Sequence, residues 1–200
     1  MNHVERVVSY LRSLEGFRVL PRSEPYSHIG AAIVDAVLQA GINYDNVVRK
    51  RVDAVAAIES ARTTKGFCQL LEAQGAETLL SWRPGRKPRL VGSLAELFDR
   101  EGVNTVLDLR AWLQTPENLP KLTALHGVGP KTVDYLKGLV GLPAVAIDTK
   151  LSQLLRAAGV PPADYHEARA IIEEAADQMG VDRNALDYSI WRFMTEKRSA

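Results

Sequence analysis

Apolar residues recur every third or fourth position along most of the chain, and this spacing constrains the fold more than any other feature. Near the start of the chain they are Val4, Val7, Val8, Leu11 and Leu14. This spacing places apolar side chains on one face of a helix. No pair of alternating apolar and polar segments predicts neighbouring strands. The sequence therefore predicts an all-α fold of about ten helices.

Local capping signals set the predicted ends of these helices. Asn2, Asn43 and Asp148 each precede an apolar periodic segment and suit the N-cap position. A nearly continuous apolar segment at 29–40 is typical of a buried helix. The Pro- and Arg-rich segment 83–92 predicts a loop, with Ser93 capping the next helix. The predicted helices cover residues 2–15, 29–40, 43–58, 64–82, 94–100, 104–113, 116–125, 131–140, 149–158, 163–179 and 182–197.

The cysteine and histidine content excludes several kinds of site. Cys68 is the single cysteine, so the chain can form neither an internal disulfide nor a four-thiolate iron–sulfur cluster. The four histidines are scattered and lack the helical spacing of a zinc site. They are His3, His28, His126 and His166. We therefore expect chemistry that uses no cofactor and no metal.

The apolar content predicts a chain that stays in the cytoplasm. No apolar run approaches the ~20 residues that a membrane helix needs. Glu5 and Glu15 flank a first segment that lacks the apolar core of a signal peptide. The net charge is only +1, which argues against a strongly basic protein. However, segment 83–89 holds four cations and no acid, including Arg86 and Lys87, and is interpreted either as a phosphate-binding patch or as a solvated linker.

The segment 122–136 has the pattern of two helices joined by a Gly-Val-Gly turn. Gly127 and Gly129 permit positive φ angles and leave the backbone amides open to a ligand. Pro130 suits the first position of the second helix. The backbone amides and the helix dipole at the start of a helix form a phosphate site. Such a site binds the nucleic-acid backbone without recognising base identity. The predicted contacts are Gly127, Val128, Gly129, Lys131, Thr132 and Lys137.

This segment resembles the helix-hairpin-helix motif, whose core is Leu-x-Gly-Val-Gly-x-Lys-Thr. The motif also occurs in polymerases, junction-binding proteins and nucleases, and a plain helical hairpin is the alternative interpretation. The downstream segment Pro143–Lys150, with Asp148 before Thr149, resembles the matching part of the HhH-GPD glycosylase superfamily. That superfamily includes endonuclease III and the 8-oxoguanine glycosylases. In it, a lysine and an aspartate that match Lys131 and Asp148 face one pocket.

A third segment, Ala36–Ala40, resembles the family's Leu-Ser-x-Gln segment, whose glutamine fills the gap left by a flipped base. Gln39 is the matching residue, and an ordinary polar residue at a helix end is the alternative. The chain departs from the family in three places. It lacks the cluster cysteines, it has His126 where a proline is usual, and it has Lys150 and Gln153 where histidine and arginine are frequent.

The resemblance implies a base-excision DNA-repair enzyme with hydrolase and lyase activity, acting as a monomer on damaged double-stranded DNA at the nucleoid. It further implies a two-lobed fold with a DNA groove between the lobes. Residues 25–146 would form the lobe that bears the hairpin at about 117–141. Residues 1–24 and 147–200 would form the second lobe. The resemblance covers roughly residues 25–160 and is strongest at 122–151.

The residues permit a mechanism in which Lys131 attacks the sugar as a neutral amine and forms a Schiff base, while Asp148 stabilises positive charge. Tyr188 and Trp191 would stack on the flipped base, or would pack between helices. Two alternatives remain open: a monofunctional glycosylase, and a non-enzymatic DNA-binding module. The base also remains open, and the absence of a cluster favours the 8-oxoguanine-type branch.

Overall fold

The computed structural model describes residues 2–22 and 24–196, and all regular secondary structure among them is helical. This confirms the all-α prediction. No helix in the described part of the chain is long and apolar enough to cross a membrane. The chain divides into two compact units. We call Pro25–Leu142 the hairpin unit, and Met1–Glu24 together with Pro143–Ala200 the terminal unit.

The described residues form twelve α-helices and three π- or 3-10-helical turns. The helices are α1 His3–Ser13, α2 Ile29–Leu38, α3 Arg49–Ala56, α4 Thr64–Gln74, α5 Ala76–Leu79, α6 Arg86–Arg100, α7 Val106–Leu113, α8 Leu119–Thr123, α9 Pro130–Leu139, α10 Thr149–Ala157, α11 Tyr165–Met179 and α12 Arg183–Glu196. A π-helical turn spans Tyr44–Val48, and 3-10 turns span Glu59–Arg62 and Pro116–Asn118.

The centre of the hairpin unit is α2, all ten residues of which are buried. It packs against α3, α6 and α9. Phe67, Phe98 and Leu136 are among the fully buried side chains that surround it. An apolar helix of this kind is stable because it is covered on all sides, which is what its sequence pattern predicts. Its single charged residue, Asp35, is 1% exposed.

Two predictions about segment 64–100 are wrong. The predicted loop 83–92 is a loop only up to Gly85, because α6 begins at Arg86. Pro88 is tolerated there, since the amides of the first helical turn have no intrahelical partner, and Ser93 lies inside the helix instead of capping it. Farther upstream, the predicted helix 64–82 is interrupted at Gly75, which has a φ of +77° and separates α4 from α5.

The terminal unit packs α1 against α11 and α10 against α12. Its core is formed by aliphatic side chains, including Leu11, Ile172 and Leu186. Residues 143–146, which the sequence analysis assigned to the hairpin lobe, pair instead with α12. The Ala144 amide donates to Asn184 Oδ1 at 3.0 Å and the Ala146 amide to Asp187 Oδ2 at 2.9 Å. The predicted end of the last helix, at residue 197, lies outside the described residues.

Candidate nucleic-acid interface

The Gly-Val-Gly turn joins α8 to α9 and has one residue with a positive φ. Gly127 has a φ of +99°, whereas Gly129 has a φ of −111° and a ψ of 179° and is extended. The prediction of positive φ angles therefore holds for Gly127 only. Val128 between them is buried in the core, and its amide donates to the Leu125 carbonyl at 3.0 Å. Val128 is thus the apolar anchor of the turn.

The start of α9 presents backbone amides that have no partner within the protein. Among the described residues, the amides of Gly127, Gly129 and Lys131 donate no hydrogen bond. The amide of Thr132 donates to the Gly129 carbonyl at 3.0 Å, so neither Thr132 nor Val128 contributes a free amide. Pro130 occupies the first helical position, as predicted. Free amides at the positive end of a ten-residue helix suit an anionic ligand.

Lys131 lies beside Gln39, a residue 92 positions away in the chain. The Lys131 ammonium donates to Gln39 Oε1 at 3.2 Å, and both side chains are partly buried. Gln39 is the C-cap residue of α2. The sequence predicts both as site residues from separate segments, and the packing of α2 against α9 brings them together.

Arg86 and Lys87 begin α6 and point to different surroundings. Arg86 is exposed and lies over the turn, since a Cβ at Gly127 would be 3.6 Å from its Cδ. Lys87 donates to the carbonyls of Leu38 and Ala40, at 2.6 Å each. Burial, followed by the charges of Arg86 and Lys131, lowers the pKa of Lys87 to about 8. Protein carbonyls thus occupy two of the three donors of the Lys87 ammonium, and its predicted contact with DNA stays a prediction.

Lys137 lies in the last turn of α9. It is six positions after Lys131, which is about 9 Å along a helix axis. Lys137 therefore does not belong to the group of residues around the Gly-Val-Gly turn. Any contact it makes with a nucleic acid would be to a different phosphate.

A buried carboxylate in α2 is the feature that the sequence analysis missed. Asp35 accepts hydrogen bonds from the hydroxyls of Tyr26 at 2.7 Å, Tyr44 at 3.0 Å and Tyr135 at 3.2 Å. Burial raises the pKa of Asp35, and the three hydroxyls partly oppose this by stabilising the charged form. Burial and the Asp35 charge also raise the pKa of Tyr44, to about 12. A lone acid inside an apolar helix was the available signal, because such a group must find partners.

Four of these residues form two hydrogen-bonded pairs between α2 and α9. Asp35 and Gln39 are one turn apart on α2, and Lys131 and Tyr135 are one turn apart on α9. Asp35 pairs with Tyr135, and Gln39 pairs with Lys131. The pair of Asp35 and Tyr135 is buried in the core, and the pair of Gln39 and Lys131 is next to the Gly-Val-Gly turn. The core therefore fixes the helix register that places Lys131.

Asp148, in the terminal unit, is the N-cap of α10. Its Oδ1 accepts from the amides of Lys150 at 2.8 Å and Leu151 at 2.9 Å. Within residues 2–22 and 24–196, nothing donates a hydrogen bond to Oδ2. The predicted cap is confirmed, and one carboxylate oxygen stays available to a ligand.

The two aromatic residues proposed for a base pocket lie against each other on α12. The rings of Tyr188 and Trp191 stack with centroids 6.3 Å apart. Trp191 packs against the core of the terminal unit, and Arg192 Nη1 donates to the Tyr188 hydroxyl at 3.4 Å. Their contact with a base stays a prediction.

In the part of the chain that the structure describes, no three His, Cys, Asp or Glu residues are grouped to hold a metal ion.

A comparison with protein families gives a match. A family model described as a domain of unknown function (DUF8548) matches residues 80–195. This stretch contains α6, the Gly-Val-Gly turn and Asp148, and it excludes Gln39 and Asp35. No curated protein matches the chain.

Proposed function

We propose that this chain, which belongs to the DUF8548 family of domains of unknown function, is a helix-hairpin-helix DNA glycosylase of the HhH-GPD type with abasic-site lyase activity. The observation that carries the proposal is the contact between Lys131 and Gln39 at 3.2 Å. These residues come from two sequence segments that independently resemble the superfamily. A plain helical hairpin gives no reason for a lysine at the turn to meet a glutamine 92 residues away.

Binding to duplex DNA would begin at the turn. The free amides of Gly127, Gly129 and Lys131 would hold one phosphate group, and the exposed Arg86 beside Gly127 would add a charged donor. None of these groups reads base identity, so binding would be mainly electrostatic and would weaken with salt. A net charge of +1 is compatible with this, because segment 83–89 alone holds four cations and no acid.

Base excision would then use Gln39 and Lys131 together. Extrusion of a damaged base leaves a gap in the stack, and Gln39 would fill it. The neutral Lys131 amine would attack C1′ of the sugar while the base leaves with the bonding electron pair and takes up a proton. Loss of the amine proton and ring opening give an imine between Lys131 and C1′. Removal of a proton from C2′ then expels the 3′ phosphate by β-elimination.

Asp148 would supply the carboxylate of the reaction. Oδ1 is held by the α10 amides, which fixes the carboxylate's orientation, and Oδ2 is left for the substrate. A carboxylate fixed in advance stabilises positive charge that develops on the sugar, without reorganising during the reaction. The proposed catalytic residues are thus Lys131 as nucleophile and Asp148 as the stabilising carboxylate.

Borohydride trapping on duplexes with one abasic site tests this proposal. We expect a covalent adduct with the wild-type protein and none with Lys131→Gln. A panel of duplexes with oxidised, methylated or mispaired bases then identifies the substrate by base release. Base release without an adduct would indicate a monofunctional glycosylase. DNA binding with neither signal would indicate a backbone clamp, the function that the free amides alone support.

A further inference from the structure

We propose that Lys87 is a positioning residue, which holds the backbone of Gln39 and thereby places the Lys131 amine. Its meaning for catalysis rests on the proposed function, whereas its effect on Lys131 does not. Lys87 comes from the segment that the sequence suggests is a DNA-binding patch or a linker. The structure assigns it a different task from its neighbour Arg86.

The contacts of Lys87 define this task. Its ammonium donates to the carbonyls of Leu38 and Ala40, which are the residues on either side of Gln39. These carbonyls lie at the C-terminal end of α2, where helical carbonyls lack an intrahelical partner and the dipole is negative. Two charge-assisted hydrogen bonds on both sides of one residue restrict its backbone. The side chain of that residue then accepts the hydrogen bond from Lys131.

Lys87 lies next to Trp82, whose ring also contacts Arg51. The Lys87 ammonium lies 5.7 Å from the centroid of the Trp82 ring, and the Arg51 guanidinium lies 4.8 Å from the same centroid. Arg51 donates to the carbonyls of Val47 at 2.7 Å and Ser81 at 3.0 Å. Of the non-glycine residues that the structure describes, Ser81 alone has a positive φ, at +46°. The hydrogen bond from Arg51 to Ser81 therefore fixes the turn before α6, and this turn places Trp82 beside Lys87.

Arg86 provides a matched comparison at the adjacent position. It is exposed, it lies beside Gly127, and its side chain makes no hydrogen bond to any described residue. Its guanidinium is available to a phosphate. Two neighbouring cations of α6 should thus affect different steps: Arg86 should affect DNA affinity, and Lys87 should affect the rate after binding.

The first experiment measures single-turnover borohydride trapping at saturating abasic-site duplex, together with the salt dependence of binding. For Lys87→Met we expect a rate lower by about tenfold to a hundredfold, the effect of a misplaced reacting group, with an unchanged salt slope. Lys87→Arg can still donate to two carbonyls and should restore most of the rate. Arg86→Gln should reduce the salt slope by about one unit and change the rate at saturation by less than Lys87→Met does.

The second experiment needs no DNA. It compares how fast acetic anhydride labels Lys131 in the free wild-type protein, Lys87→Met and Lys87→Arg, with melting curves to show that each variant is folded. Release of Gln39 should raise the labelling rate in Lys87→Met about threefold or more, as expected for a locally opened site, and Lys87→Arg should stay near wild type. If both variants label and trap as wild type does, Lys87 positions nothing. If the wild-type protein gives no adduct, the proposed function fails, and labelling alone decides the role of Lys87.

Discussion

Tyr135 on α9 donates a hydrogen bond to the buried carboxylate of Asp35 on α2 at 3.2 Å, one helical turn from the contact between Lys131 and Gln39. A charge inside an apolar helix is costly unless it is satisfied. Here three hydroxyls satisfy it, and they come from the segment before α2, the turn after it, and α9. The hydrogen bonds that compensate this buried charge also join these three segments to α2.

Replacing Asp35 with asparagine should change how stability depends on pH. Burial raises the pKa of Asp35, so the folded protein binds this proton more tightly than the unfolded chain does. Stability from this group is therefore fully present below the unfolded pKa of ~3.9 and is lost as the pH rises through the raised folded value. We expect Asp35→Asn to lack this loss. The measurement is the free energy of unfolding in urea between pH 4 and pH 8 for both proteins.

The comparison has a built-in control. Tyr135→Phe removes one donor but keeps the carboxylate, so it should retain the pH dependence and lose about 1.5–3 kcal/mol, the usual value of a hydrogen bond to a charged group. Parallel pH profiles for wild type and Asp35→Asn would show that Asp35 has the same pKa in both states.

Features that depend on neighbouring residues could be predicted from the sequence. The buried α2, the turn at Gly127, and the caps at Asn2 and Asp148 follow from apolar spacing and capping residues, and the structure has all of them. The start of α6 could not be predicted, because the Pro- and Arg-rich composition of that segment favours a loop. Burial of Pro88, with the apolar side chains that follow it, outweighs that local preference.

Contacts between distant residues could not be predicted. Asp35 and Tyr135 are 100 positions apart, and the sequence contains no pattern that pairs them. The sequence also could not predict that the Lys87 side chain points inward, since an arginine or lysine in a basic segment is normally solvated. Only the packing of α6 on α2 brings its ammonium to the carbonyls of Leu38 and Ala40.

The two glycines of the turn should respond differently to alanine. Gly127 has a φ of +99°, which disfavours any side chain, although space for a Cβ exists. Gly127→Ala should therefore cost about 1–2 kcal/mol and weaken DNA binding by distorting the free amides. Gly129 has a φ of −111° and open space around it, so Gly129→Ala should change stability by less than about 0.5 kcal/mol. Urea unfolding and DNA titration of both variants check this. Equal costs would mean that the turn adopts another conformation.

Asp148 should separate capping from catalysis when two substitutions are compared. Asparagine is a good N-cap, so Asp148→Asn should melt close to wild type. Asp148→Ala loses both bonds from the α10 amides and should be less stable by about 0.5–2 kcal/mol. Both variants lack the carboxylate and should excise a cognate base much more slowly in single turnover. An Asp148→Asn protein that excises at the wild-type rate would limit Asp148 to its cap.

Lys131 should be essential for the adduct and nearly irrelevant to stability. Its side chain is partly exposed, and among the described residues it donates a hydrogen bond to Gln39 alone. Lys131→Gln removes the only group in the proposal that can bond to C1′, so the borohydride adduct should be absent. The melting temperature should stay close to wild type, because a partly exposed position carries little of the core packing.

Gln39→Ala is the informative partner of Lys131→Gln. It removes the acceptor of Lys131 and the group proposed to fill the gap, but it keeps the amine. We expect slower trapping on duplexes that require base extrusion, and a smaller effect on an abasic site, where no base has to be flipped. Trapping rates on the two substrates, measured side by side at saturating protein, give the ratio. Equal slowing on both would mean that Gln39 only orients Lys131, and an adduct formed by Lys131→Gln would transfer the nucleophile's role to another amine.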